Sequence, residues 1–161
     1  MNLPRRLKMT APAYTGLQRE SIPAISADEG RAVVNLISGA WQGREGPVRS
    51  LTGIFMTTIE MKPGARLSFA NLQGRNVFLY TVADGVRVNG RDAPEHALVE
   101  LDLDGDELVL ESAEGAQLLF GHGEPIGEPV YAYGPFVMNS EQDIRDAIRD
   151  YQSGRFGDVK G

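Results

Sequence analysis

Asn76-Val77-Phe78-Leu79-Tyr80-Thr81-Val82 precedes the turn residues Asp84-Gly85, and Val86-Arg87-Val88-Asn89-Gly90 follows them. The first run is rich in β-branched and aromatic residues, which favour strands. An Asp-Gly pair between two such runs is typical of a two-residue turn. The stretch therefore predicts a β-hairpin.

Downstream of this stretch, short runs and turns repeat. Residues 97–101 and 107–112 flank Asp104-Gly105-Asp106 as a second predicted hairpin, and residues 116–121 follow a turn at Glu114-Gly115. Strands that recur about every ten residues, with turn residues between them, predict an antiparallel sandwich or barrel. The fold class is therefore all-β.

Upstream, residues 31–37 and 51–61 are two further predicted strands. Lys62-Pro63-Gly64 ends the second one, because proline presets φ and glycine accepts positive φ, as a type II turn requires. Residues 1–30 contain several prolines and little periodicity, so they are predicted to be an extended, linker-like lead-in. The folded domain is expected over residues 31–161.

The one predicted helix is close to the C-terminus. Ser140 can cap it, and Asp143 stands three residues further on, as in a capping box. Ile144, Ala147, Ile148 and Tyr151 form an apolar stripe at helical spacing. Gly154 is expected to end the helix, since glycine tolerates the left-handed conformation.

Composition limits the functions open to this chain. It has 161 residues, enough for one core, and no cysteine, which excludes disulfides and thiolate metal sites and suits a cytoplasmic location. No run approaches the ~18 apolar residues of a membrane span. The net charge is −6 and acidic residues concentrate between positions 84 and 114, so a nucleic-acid partner is not expected.

Few residues offer chemistry. The histidines are His96 and His122, and neither is spaced from another histidine as in a metal motif. His122 lies in Gly121-His122-Gly123-Glu124, where Glu124 and Glu128 are weak candidates to join it as metal ligands, although an ordinary structural role is favoured. Neither a nucleophile elbow nor a phosphate-binding loop is present. We predict no catalytic residue and no cofactor for this chain.

Trp41 and residues 127–139 are unusual for their surroundings. Trp41 lies in a glycine-rich loop, where it either closes one mouth of the barrel or stacks on a ligand. Residues 127–139 interleave aromatic and apolar side chains with proline and glycine, so they do not suit a central strand. That segment is expected to cover the domain's own core or to face another domain.

Pro63-Gly64, the run at 76–82 with Asp84-Gly85, and Asp104-Gly105-Asp106 resemble the skeleton of a cupin, a jelly-roll β-barrel. The cupin metal pattern, counted from Gly64, falls on Ala70 and Leu72, on residues 76–78 and near Gln117. None of these residues is a histidine or a glutamate. The resemblance therefore implies the barrel without its metal site.

Longer strings resemble the C-terminal half of the pirin family. They are Asn2-Leu3-Pro4, Gly127-Glu128-Pro129, Gly134-Pro135-Phe136-Val137-Met138-Asn139, and Tyr151-Gln152-Ser153-Gly154-Arg155-Phe156-Gly157. In pirins two cupin barrels face one another; the N-terminal one holds iron and the C-terminal one is metal-free. Asn2-Leu3-Pro4 resembles the linker between them, so this chain is similar to a second barrel.

The resemblance implies a binding role. We expect a metal-free cupin that completes a partner, either an N-terminal pirin-type cupin or a second copy in a homodimer. The candidate interface residues are Pro4, Tyr14, Tyr131, Tyr133, Pro135, Phe136 and Met138. One alternative is half of a quercetin 2,3-dioxygenase whose iron lies in an N-terminal cupin. Another is a small-ligand barrel that uses Trp41.

Overall fold

The computed structural model describes residues 2–156, which belong to two compact units. We call Tyr14–Pro125 the sandwich unit, and Met1–Ala13 with Ile126–Gly161 the terminal unit. Gly157, the last residue of the string at 151–157 that resembles pirins, lies outside the described residues.

The sandwich unit contains twelve strands. They are β1 (Ala24–Ala27), β2 (Ala32–Ser38), β3 (Ala40–Trp41), β4 (Arg44–Glu45), β5 (Phe55–Met61), β6 (Arg66–Phe69), β7 (Asn76–Ala83), β8 (Val86–Val88), β9 (Arg91–Ala93), β10 (Leu98–Leu101), β11 (Leu108–Glu111) and β12 (Ala116–Gly123). A 3-10 turn at Arg19–Ser21 precedes them, and another at Asp28–Gly30 joins β1 to β2.

Two large sheets form most of this unit, and β3 pairs with β4 in a separate hairpin. The larger has the strand order β1-β2-β5-β12-β7-β10, the smaller has the order β6-β11-β8-β9, and neighbouring strands are antiparallel. Along β2 and β5 every second residue is buried, which is the period expected of strands with one face on a core. The all-β jelly-roll prediction is confirmed. The sheets remain separate, so the expected barrel has the form of a sandwich.

Aromatic residues from both sheets meet in the core. The ring of Phe69 on β6 lies 4.5 Å from that of Phe120 on β12 and 6.0 Å from that of Phe55 on β5. All three side chains are buried, and Phe120 is fully so. Their contacts hold the two sheets together at the end of the sandwich where β5 begins and β6 and β12 end.

Both predicted hairpins are wrong, although the chain bends at Asp84 and turns at Leu103 and Asp104. β7 pairs with β12 and β10, whereas β8, just beyond Asp84-Gly85, pairs with β11 and β9 in the other sheet. The chain crosses in the same way between β10 and β11. A turn motif indicates that the chain reverses direction, but it does not determine which strands pair. Because β12 and β10 pair with the two edges of β7, the strand after the turn joins the other sheet.

β1 and β6 are among the strands that lie where none was predicted. β1 falls inside the predicted lead-in and pairs with β2, with Ile25 opposite Val34. β6 follows the turn at Gly64, whose φ is +75° as expected, and pairs with β11. Both strands have only four residues, too few for alternation to be visible against loop composition. The sandwich unit therefore begins well before residue 31.

The terminal unit holds the predicted helix and a short hairpin. The hairpin consists of β13 (Tyr131–Tyr133) and β14 (Phe136–Met138), and the helix α1 (Glu141–Gln152) contacts it. The Oγ of Ser140 accepts a hydrogen bond from the backbone N–H of Asp143 at 3.1 Å, which confirms the N-cap. The Asp143 carboxylate pairs with Arg5 at 3.0 Å, and Gly154 ends the helix with a φ of +74°.

Among residues 2–156, the structure contains no helix of the length and apolar character needed to span a membrane.

Candidate functional site

A cavity of about 380 Å³ opens at the end of the sandwich where the core aromatic residues meet. Its lining includes Trp41, Phe55, Phe69, Ala70, Arg75 and His122. These residues come from β3, β5, β6, the β6–β7 connection and β12, so both sheets contribute to its wall. Aromatic, cationic and imidazole groups thus converge in its lining.

Trp41 reaches the cavity because the β3–β4 hairpin folds tightly against β2. Gly39 has a φ of +87°, and the N–H of Gly46 donates to the carbonyl of Gly39 at 2.9 Å. A Cβ on Gly46 would lie 2.6 Å from the backbone of Ile37, so only glycine allows this approach. The Trp41 ring then packs on Phe69, 5.4 Å between centroids, and remains partly exposed.

His122 faces the cavity because of the alternation along β12. Ala116, Leu118 and Phe120 are buried, and His122 continues their face of the strand. Its imidazole stacks on Phe55 with a centroid distance of 4.8 Å and an angle of 9° between the rings. The sequence indicated glycines around His122 but gave no reason to place it beside aromatic rings.

Arg75 is the partner of His122. Its Nε–H donates to Nδ1 of His122 at 2.8 Å, which requires a neutral imidazole with its proton on Nε2. Burial, and to a lesser extent the nearby Arg75 charge, lower the pKa of His122 to about 4. The imidazole is therefore neutral near pH 7, and the cavity carries the positive charge of Arg75.

The two carboxylates predicted as weak metal ligands serve other contacts. Oε1 of Glu124 lies 3.6 Å from Nη1 of Arg75, and the Glu124 side chain is 80% exposed. Oε2 of Glu128 accepts hydrogen bonds within the terminal unit, from the N–H of Arg5 at 2.6 Å and from Nδ2 of Asn139 at 2.9 Å. His96 is in a turn, with an exposed side chain.

The residues around the cavity do not fit an iron site of the cupin pattern. Ala70 lines the cavity without a ligating atom, and Leu72 is buried in the core. The count that placed the last ligand near Gln117 was wrong, because Gln117 is exposed and His122 is the residue of β12 that lines the cavity. Within residues 2–156, no three His, Cys, Asp or Glu side chains are grouped closely enough to hold a metal.

The predicted interface residues all lie at or near the surface. Tyr14, the first residue of the sandwich unit, is 94% exposed. In the terminal unit, Tyr131, Tyr133 and Pro135 are exposed, whereas Pro4, Phe136 and Met138 are partly buried. The Phe136 ring packs edge-on against Tyr151 and Phe156 at about 6 Å, so it supports the terminal unit itself.

Two antiparallel sheets in jelly-roll order around a cavity at one end define this protein as a cupin. The family can be stated more closely. Residues 56–157 match the Pirin C-terminal cupin domain, and the chain belongs to the pirin family.

The relatives agree with this assignment. A pirin-like protein of Caulobacter vibrioides is 35% identical over 158 residues, which are 97% of this chain and 56% of the relative. Pirin of Homo sapiens is 32% identical over 162 residues, 98% of this chain and 55% of pirin. A crystal structure of quercetin 2,3-dioxygenase from Acinetobacter baumannii has a TM-score of 0.91 at 28% identity, covering 99% of this chain and 56% of that one. This chain thus spans about half the length of these relatives.

Arg75 is the site residue that sequence reasoning missed. It is one of 16 arginines and lysines, and it stands in no recognised motif. The available signal was its place in the cupin pattern, between the histidine positions at Ala70 and Leu72 and the glutamate position at 76–78. An arginine there lies at the same end of the fold as the missing ligands.

Proposed function

We propose that this cupin is the metal-free half of a two-cupin assembly of the pirin type, and that it acts by binding and completing a partner cupin. The main support is the make-up of the cavity, whose lining includes one histidine and no acidic residue. A redox metal that activates dioxygen needs several convergent ligands and an open position. The partner would be an N-terminal pirin-type cupin or a second copy of this chain.

A second candidate function is half of a quercetin 2,3-dioxygenase. The likeness to the Acinetobacter baumannii enzyme over 99% of this chain favours it. In that assembly the iron would be held by the other cupin, and this chain would complete the enzyme without ligating the metal. The two candidates share the partner and differ in whether the complex turns over a flavonol.

Metal analysis and reconstitution test both candidates. We expect the purified chain, dialysed against a mild chelator, to hold far less than one iron, zinc, copper or manganese per molecule, and to leave quercetin unchanged. Near one metal per chain would overturn the metal-free proposal, with His122 and Glu124 as the first ligands to replace.

The same assay is then repeated with a separately expressed N-terminal pirin cupin. Formation of a complex without quercetin turnover supports a binding role, and turnover that requires both halves supports the dioxygenase. Absence of any complex would contradict both candidates.

A further inference from the structure

The guanidinium of Arg75 is only partly paired. Its side chain is 21% exposed, and Nε is bonded to His122. Among residues 2–156, Nη1 and Nη2 make no hydrogen bond, and their nearest acid is the mostly exposed Glu124 at 3.6 Å. A guanidinium carries five donors in a fixed fork. Most of these donors are therefore free to bind an anion.

The side chains that line the cavity carry no negative charge. Arg75 stands among apolar, amide and imidazole groups, in a chain whose net charge is −6. A largely buried cation without a buried counter-ion favours an anionic ligand, because burial weakens its hydration. A carboxylate suits the guanidinium best, since the two form paired, parallel hydrogen bonds.

The cavity also offers an aromatic surface. Trp41 packs on Phe69, is partly exposed, and lines the cavity. Tryptophan contributes a flat apolar face on which another planar ring can stack. The volume of about 380 Å³ falls within the range of small-ligand sites.

His122 adds a directed donor. Because Nδ1 accepts from Arg75, the imidazole proton is on Nε2. Within residues 2–156, the buried side-chain atoms that lack a partner are Asn139 Oδ1 and Asp143 Oδ2, so the unbonded Nε2 is not sealed in the interior. The site thus combines a charged fork, a second donor and an aromatic face.

We propose that this cavity binds a small planar aromatic carboxylate, with Arg75 holding the carboxylate and Trp41 contacting the ring. The neutral imidazole of His122 fixes the guanidinium through Nε and leaves its terminal nitrogens to the ligand. The proposal goes beyond the partner role and does not rest on it.

Fluorescence and calorimetry test the site on the full chain. Trp41 is the only tryptophan, so its emission reports directly on the cavity. We expect benzoate to change this emission in a saturable way and to bind one to one by calorimetry. Benzamide has the same ring without the charge, and cyclohexanecarboxylate has the charge without the aromatic ring. Each is expected to bind about tenfold more weakly or worse.

Variants of Arg75 test whether its guanidinium binds the carboxylate of the ligand. Arg75→Gln is expected to weaken benzoate binding at least about tenfold with little effect on benzamide binding. The benzoate affinity of Arg75→Lys is expected to lie between those of the unaltered chain and of Arg75→Gln. Arg87→Gln is the matched control, because Arg87 is an exposed arginine of the same unit, paired with Asp92. It should bind benzoate as the unaltered chain does.

Equal binding of benzoate and benzamide, no saturable binding of benzoate, or unchanged benzoate affinity in Arg75→Gln would overturn the proposal. Circular dichroism checks that each variant is folded. If Arg75→Gln does not fold, the three ligands on the unaltered chain still decide the question.

Discussion

The imidazole of His122 makes the stability of the fold depend on pH. Its pKa is about 4 in the folded chain, against 6.5 for a free histidine, chiefly because the ring is buried. Above pH 6.5 the ring is neutral in both states, and its contribution to stability is fully present. As the pH falls from 6.5 to 4 the unfolded chain binds the proton first, so we expect the free energy of unfolding to fall by about 1–2 kcal/mol, since partial exposure of the ring to water reduces the effect.

The measurement is urea unfolding at a series of pH values, for the unaltered chain and for His122→Asn. The variant keeps an acceptor for Arg75 but does not titrate, so part of the pH dependence should disappear. His96→Asn removes the other histidine and is the matched control. The same pH dependence in all three proteins would show that the burial of His122 does not couple to folding.

The β3–β4 hairpin is the element that carries Trp41 to the cavity, and Gly46 anchors it. An alanine at position 46 would place a methyl group against the backbone of Ile37, which cannot yield as a flexible side chain would. We expect Gly46→Ala to lower the free energy of unfolding by about 1–3 kcal/mol and to weaken benzoate binding. Urea unfolding and the Trp41 emission measure the two effects.

Gly105→Ala is the control for the hairpin. Gly105 has open space around the added methyl group and no positive φ, so this change should alter stability only slightly. If both variants unfold at the same urea concentration and bind benzoate alike, the close approach of Gly46 to β2 does not hold the hairpin in place.

The sequence predicted the positions of the strands better than it predicted which strands pair. The β-rich run at residues 31–37 and the cap at Ser140 are local patterns, and the strand β2 and the helix α1 were found there. The strands after Asp84-Gly85 and after Asp104-Gly105-Asp106 lie in the other sheet, because pairing is decided by which strand edges are free in the whole fold. For the same reason His122 was noticed, but its pairing with Arg75, 47 positions away, was not.

The exposed aromatic residues of the terminal unit are the candidate contact surface for the proposed partner of the whole molecule. Phe136 packs with Tyr151 and Phe156, so an aspartate there would disturb the unit as well as any interface. Tyr133 is 69% exposed and is the cleaner probe. If this surface meets an N-terminal pirin cupin or a second copy, a charge at position 133 would have to be buried without a partner.

We therefore expect Tyr133→Asp to weaken the complex at least about tenfold while the thermal midpoint of the chain alone stays unchanged. Phe136→Asp and Met138→Asp should weaken it too, with Phe136→Asp also lowering that midpoint. Asp104→Asn, in the acidic turn of the sandwich unit, is the control and should leave the affinity unchanged. Sedimentation velocity over a hundredfold concentration range, alone and with the N-terminal cupin, measures association. Equal affinities for Tyr133→Asp and Asp104→Asn would place the interface elsewhere than on the β13–β14 hairpin, because a charge buried at position 133 without a partner has to weaken binding.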